Sequence, residues 1–282
     1  MWMIVPMLTT MNCEYRFFDI QHFFMSAEKN GFTTAELWCG PMHFFLDYRC
    51  HDSVTALSKL AINHGVHIVA ICPQQTNPNP YNVAVRNIAA RKRTYLYFCN
   101  AIDVAHELGA NIVTITAGWG YLNESAGDAL LRSIEMLKRV AIYAEKQNIT
   151  IALEALQSWE SNLPCHTSLD LAHILDAVGS PALRVCLDTG AMDAAGETIH
   201  DYFTNLGTNI VHCHFVDSGT ESHVAWGDGR RNMAADLASL VAEGYAGYLS
   251  VETVDSAHFD NPEKADAQAM RMYRHCLGGL QS

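Results

Sequence analysis

The chain has 282 residues, 49% of them hydrophobic, so it is long for one small domain and carries enough apolar material for a large core. Its 18 Lys and Arg stand against 30 Asp and Glu, a formal charge of −12 with 14 His held neutral. That balance argues against a nucleic-acid surface, which is built on Lys and Arg. No stretch approaches the roughly 18 uninterrupted apolar residues of a membrane span. The nine Cys include no CxxC pair, and Cys72, Cys186 and Cys213 fall inside predicted strands. Scattered, buried thiols fit a reducing compartment better than a disulfide framework, so a cytoplasmic protein is expected.

In chain order, Met3 to Leu8 reads as the first strand rather than a signal peptide, because the segment lacks a basic start and a small-residue cleavage site. Arg16 to Asn30 is the first helix, stopped by Gly31, and Thr33 to Trp38 the second strand. Asp52-Ser53 caps a helix from Val54 to Asn63 that Gly65 closes, and Val66 to Cys72 is the third strand. Pro73 to Asn82 holds three Pro and three Asn, which marks a loop long enough to serve substrate. A helix from Val85 to Leu108 ends at Gly109, and Asn111 to Thr116 is strand four. A helix beginning at Asn123 or Ser125 runs to Lys146. A fifth spans Thr167 to Val178, a short one Thr198 to Leu206, another Met233 to Glu243, and Pro262 to Leu277 closes the chain.

Four apolar runs in the second half each end in a residue able to bind a metal. Ile149 to Leu153 ends in Glu154, Leu183 to Leu187 in Asp188, Ile210 to Cys213 in His214, and Tyr248 to Val251 in Glu252. Short, partly β-branched runs separated by room for a helix and two loops predict a βαβ repeat. Eight strands and eight helices with no linker predict a single-domain (β/α)8 TIM barrel over residues 1–282. In that fold the C-terminal strand ends converge, so these four side chains meet around one point. A lone Glu or Asp at a strand end is more often a cap or ion-pair partner, and a lone His more often a core residue. Four in succession outweigh that reading. Three carboxylates and an imidazole suit one divalent ion per chain, Mn2+, Mg2+ or Co2+. His212 shares a strand face with His214. We favour His214 as the ligand because it lies nearer the rim, with His212 packing beneath or behind it.

With these residues in place, the chain resembles the xylose isomerase-like barrels, and among them the fructoselysine (psicoselysine) 3-epimerases, then the D-tagatose/D-psicose 3-epimerases. The resemblance covers essentially the whole chain. It rests on Pro80-Tyr81-Asn82, Ala117-Gly118 with Tyr121-Leu122, and Glu154 with Glu160-Ser161-Asn162. It continues through Asp188, His214-Phe215-Val216-Asp217-Ser218, Ser222-His223, Gly227-Asp228-Gly229 and Val251-Glu252. It implies that Glu154, Asp188, His214 and Glu252 hold the metal and that Glu154 and Glu252 are the acid/base pair. It further implies an epimerase that abstracts the C3 proton of a ketose or ketosamine through a cis-enediolate. Glu160 matches a position that contacts substrate hydroxyls in the ketose epimerases. His223 resembles a metal ligand of the apurinic endonuclease branch but is read here as substrate-facing, since the other His ligands of a three-metal cluster are absent.

Two departures bear on substrate. Tagatose-type enzymes carry a His where this chain has Ala191 and an Arg where it has Thr220, which turns the reading from free ketohexoses toward fructoselysine-type substrates. Tyr81 and Trp119 are further candidate substrate contacts, and Trp38, Trp159 and Trp226 also fall on the expected catalytic side. Arg91-Lys92-Arg93 reads as a solvated helix face before it reads as a phosphate site. The partners expected are a sugar or amino-sugar and further copies of the chain, as a homodimer or tetramer, with no nucleic acid or membrane. Rival readings on the same fold are an aldose–ketose isomerase or an inosose dehydratase and, further off, an endonuclease-type phosphodiesterase.

Overall fold

In the computed structural model, which describes residues 5–280, eight parallel strands pair in chain order and close on themselves as a (β/α)8 barrel. They are β1 (Met7–Met11), β2 (Thr34–Cys39), β3 (His67–Pro73), β4 (Ile112–Thr116), β5 (Thr150–Glu154), β6 (Leu183–Asp188), β7 (Ile210–His214) and β8 (Tyr248–Val251). Around them lie α1 (Ile20–Asn30), α2 (Val54–Asn63), α3 (Ile88–Leu108), α4 (Ala126–Gln147), α5 (Ser168–Val178), α6 (Thr189–Ala194), α7 (Ile199–Leu206), α8 (Met233–Ala242) and α9 (Pro262–Leu280).

The first strand departs from expectation. Met3 and Ile4 lie outside the described residues, and the strand begins at Met7, directly after Pro6. Proline has no N–H to give a ladder, so a central strand starts beyond it. α1 is shorter than its apolar pattern, starting at Ile20 because the Asp19 carboxylate accepts the His22 N–H at 2.9 Å. α3 likewise starts at Ile88, where Asn87 caps Ala90 N–H at 3.0 Å. Such caps satisfy N–H groups that the first turn leaves free, and they set where the helix begins. Among the described residues there are nine α-helices rather than eight. The additional α6 has six residues, too few for a helical periodicity to show, and Asp188 itself caps it by accepting Gly190 N–H at 2.7 Å.

Alternation along the strands sorts the core. Leu153, Leu187, Cys213 and Leu249 point outward into the large cluster shared with the helices, and their neighbours point into the barrel. Low in the barrel the inward residues are small or apolar: Ala70, Ile112, Ala152 and Cys186. One step higher on β4, β5 and β6 are Thr114, Glu154 and Asp188, and Glu36 from β2 with His212 and His214 from β7 joins them in a charged layer, all buried. The register places Glu154 beside Thr116 and Cys186, and Asp188 beside His214. Irregular pairing at Ala35/Glu36 on β2 and Val185/Cys186 on β6 brackets this charged layer. Such bulges re-aim side chains where a sheet must carry a site.

Candidate active site

The charged layer is organised around the His214 ring. Its Nδ1 lies 2.5 Å from Glu154 Oε1 and 2.8 Å from Glu252 Oε2. Its Nε2 lies 3.3 Å from Glu36 Oε2. A second imidazole, His223, sits across the mouth with Nε2 3.1 Å from Asp188 Oδ2 and 3.6 Å from Glu252 Oε2. Thus the four strand-end residues come together, and His223 from the β7–α8 loop joins them. Glu252 stands one residue past β8, held in a turn by its own N–H donating to Ser250 C=O at 3.0 Å. Three sets at this mouth each have their ligand atoms within 4.8 Å of one another: Glu36–His212–His214 and Glu154–Cys186–His214, which share His214, and Asp188–His223–Glu252.

Burial and charge pull against each other here. Burial, with Glu252 and Asp188 nearby, pushes the Glu154 carboxyl up to about 8 despite the opposing His214. Asp188 is buried as well, yet the charge and hydrogen bond of His223 hold it below the usual carboxylate range. His223 rises to about 10, because Asp188 and Glu252 outweigh the burial that would neutralise it. His214 is raised in the same way by Cys186, Glu154, Glu252 and Glu36. Clustered buried carboxylates stay ionised only against positive charge. Among the described residues no lysine or arginine pairs with Glu36, Glu154, Asp188 or Glu252; the imidazoles supply that charge. An oxygen-rich donor set with imidazole, short of positive charge, fits a divalent cation.

Glu36 is the residue that reading the sequence missed. It accepts from Thr114 Oγ1 at 2.9 Å, meets His212 Nε2 at 2.6 Å, and lies beneath His214, so one carboxylate braces both rings. His212 occupies the floor, fully buried. The available signal was an acid inside the apolar run Thr34–Cys39, on the inward phase of the alternation.

Above the charged layer a cavity of about 280 Å³ opens, lined by Arg16, Trp38, Gln75, Glu160, His223 and Glu252 among others. Arg16 stacks over Trp38 and Phe259, and Gln75 Oε1 accepts Thr116 N–H at 3.0 Å. Glu160 lines this wall, and the Pro- and Asn-rich loop contributes Gln75, Thr76 and Asn77. Trp119 lines an adjoining hollow instead. Tyr81 does not line the cavity; it stacks on Tyr97 with ring centroids 4.0 Å apart. Trp226 is fully buried and donates to Phe215 C=O, a packing role. In the basic run, Arg91 pairs with Glu135 while Lys92 and Arg93 face solvent.

Two glycines are required by close approach. A Cβ on Gly118 (φ +80°) would lie 2.3 Å from Asn82 Oδ1, the atom that also accepts Trp119 N–H and orients the β4 loop. One on Gly190 would lie 2.4 Å from Ser222 Oγ, whose hydroxyl bonds His223 Nδ1 at 2.8 Å. His223 itself holds φ +59°, a left-handed conformation uncommon for a residue with a Cβ. The close fit against α6 and the donation of Val254 N–H to His223 C=O hold it there.

The xylose isomerase-like TIM barrel family matches residues 24–276. The fructoselysine 3-epimerase of Shigella flexneri is 30% identical over 271 residues, covering 94% of this chain and 96% of that one. The L-ribulose 3-epimerase of Mesorhizobium japonicum is 31% identical over 163 residues, 56% of this chain and 53% of that one. Among solved structures, D-psicose 3-epimerase with D-tagatose from Clostridium cellulolyticum H10 superposes with a TM-score of 0.78 at 16% identity, covering 96% of this chain and 98% of that one. At that identity the superposition speaks for the fold. The relatives matched along the sequence over nearly their whole length support a carbohydrate epimerase, an enzyme of the isomerase class. The closed parallel barrel, the charged layer at its C-terminal mouth and the match over residues 24–276 place this chain in the xylose isomerase-like TIM barrel family.

Proposed function

We propose that this chain is a divalent-metal-dependent 3-epimerase of a ketose or ketosamine, of the fructoselysine/psicoselysine type, acting through a cis-enediolate. The observation that carries the reading is the approach of Glu154 and Glu252, from strands three positions apart around the ring, to one nitrogen of His214 at 2.5 and 2.8 Å. Inverting a carbon beside a ketone requires a base on one face of it and an acid on the other. Glu154 and Glu252 take these parts, one removing the C3 proton and the other returning it to the opposite face. Glu154, Asp188, His214 and Glu252 would hold one cation, Mn2+, Mg2+ or Co2+. When bound it supplies the positive charge that makes a weakly acidic C–H removable. Glu160 and His223 orient substrate hydroxyls from the cavity wall. Trp38 and Val254 give the cavity apolar surface and limit water around the reacting carbons.

The same reading carries forward a homodimer or tetramer, to be checked by sedimentation. Among the described residues no helix is long and apolar enough to cross a membrane, and all nine cysteines are free. The free thiols support a reducing compartment such as the cytoplasm.

The deciding experiment incubates the enzyme in D2O with Mn2+ and a panel of ketoses and fructosamines, read by NMR. Deuterium at C3 with inversion there is the expected result. Deuterium at C1 or C2 with an aldose forming would replace the proposal with an aldose–ketose isomerase, and loss of water from an inosose with a dehydratase.

A further inference from the structure

The catalytic cavity continues sideways. Thr76, Asn77 and Glu160 line both it and a second hollow of about 540 Å³, roughly twice its size. A ketose seated at Glu154 and Glu252 therefore leaves the larger space unfilled. The walls of that space are Trp119, Trp159 and Leu122, with Ser158, Ser161 and Asn162 between them. Trp159 is 70% exposed and Leu122 92% exposed. Large apolar groups facing water beside a reaction site are surface waiting for an occupant.

The hollow is also preformed. Asn77 Nδ2 donates to Glu160 C=O at 3.2 Å and so ties the β3 loop to the β5 loop at the neck. Ser161 Oγ donates to Gly118 C=O at 2.9 Å, and Asn162 Oδ1 accepts Gly120 N–H at 3.0 Å. Its charge is one-sided: among the described residues no Lys, Arg or His lines it, and the single ionisable group there is Glu160, at the neck. Arg16 lines the catalytic cavity but not this hollow.

We propose that this hollow is the subsite for the N-alkyl substituent of a ketosamine, with the secondary ammonium beside C1 facing Glu160 and the alkyl chain lying against Trp159 and Trp119. The proposal rests on the reading of the site as a ketosamine epimerase and adds the residues that select the substituent. An ammonium gains from a carboxylate and from an indole face. An alkyl chain gains by covering two indoles and a leucine. A phosphate would enter with no cation to meet it and with Glu160 repelling it, so phosphorylated chains are rejected here.

The test is calorimetric binding to the Mn2+-loaded enzyme of fructose, 1-amino-1-deoxyfructose, 1-butylamino-1-deoxyfructose and fructose 1-phosphate. The butylamino compound is expected to bind at least about tenfold tighter than the unsubstituted amine, from chain burial and indole contact. Trp159→Ala, a change at an exposed position, is expected to narrow that ratio to about twofold. A butylamino compound that binds no tighter than the unsubstituted amine would overturn the subsite. So would a ratio that survives in both Trp159→Ala and Trp119→Ala, or fructose 1-phosphate binding tighter than fructose. These readouts need no turnover. C3 exchange without the preference therefore removes the subsite alone, and the preference without C3 exchange removes the 3-epimerase reading alone.

Discussion

Two layers inside the same barrel differ by a single step along the strands. The lower one, Ala70, Ile112, Ala152 and Cys186, is small and apolar, and is filled by side chains alone. The upper one, Glu36, Glu154, Asp188, His212 and His214, buries ionisable groups that hold together only through one another. Strand alternation puts both sets inside, so geometry alone does not separate them. Their chemistry does. The lower layer contributes stability through packing, whereas the upper accumulates like charges that are unfavourable unless compensated, as expected where function overrides folding preference.

The sharpest way to break the upper layer is to remove a charge without changing shape. Glu252→Gln is expected to lower epimerisation by at least about a thousandfold, the upper range for loss of a general acid/base, with the melting temperature little changed. Unchanged turnover would remove Glu252 from the acid/base pair.

A buried acid outside both layers tests whether imidazole compensation is what sets the site apart. Among the described residues Asp266 on α9 receives only hydroxyl hydrogen bonds, from Thr10 at 3.0 Å and Tyr15 at 2.7 Å, and burial pushes it up to about 7. Because its folded pKa lies above its unfolded one, its contribution is fully present below about pH 4. That contribution is lost as pH rises from there through about 7, a change of roughly 4 kcal/mol. Chemical denaturation from pH 4 to 8 should show that decline, and Asp266→Asn should flatten it. An equal slope in both proteins would count against the assignment.

Glu36→Gln keeps the shape of the brace and removes its charge. Mn2+ affinity of the metal-free protein, measured by titration calorimetry, should fall about 10- to 100-fold, the usual effect of losing a carboxylate behind a ligating histidine. An affinity equal to wild type would reduce Glu36 to packing. Within the lower layer, Ala152→Leu should destabilise by about 1–3 kcal/mol through overpacking. Urea unfolding would read that change, and a neutral result would mean the barrel floor has room to spare. The smallest effect expected is at a cap: Ser125→Ala should cost about 1 kcal/mol, because its hydroxyl accepts Asp128 N–H at the start of α4.

What local chemistry encodes was legible from residues alone. The ends of β5, β6 and β7 at Glu154, Asp188 and His214 follow from apolar runs that stop at a polar residue. The helix cap at Ser53 follows from a hydroxyl placed just before helical periodicity. Such features depend on neighbours within about one turn or one strand, so the chain states them directly. Glu36 was not legible, because its meaning arises from β7, on the other side of the barrel, some 176 residues away at His212. Nor was α6, whose six residues are helical because Asp188 caps them and the Ser222–His223 turn packs against Gly190. Tyr81 and Trp119 sit in loops of similar composition, yet one stacks into the core and the other faces a hollow. Loop side chains take their direction from long-range contacts rather than from local periodicity. Strands, caps and the metal-competent strand ends are therefore written in the chain, while the brace beneath the site and the shape of its neighbouring hollow exist only once the barrel has closed.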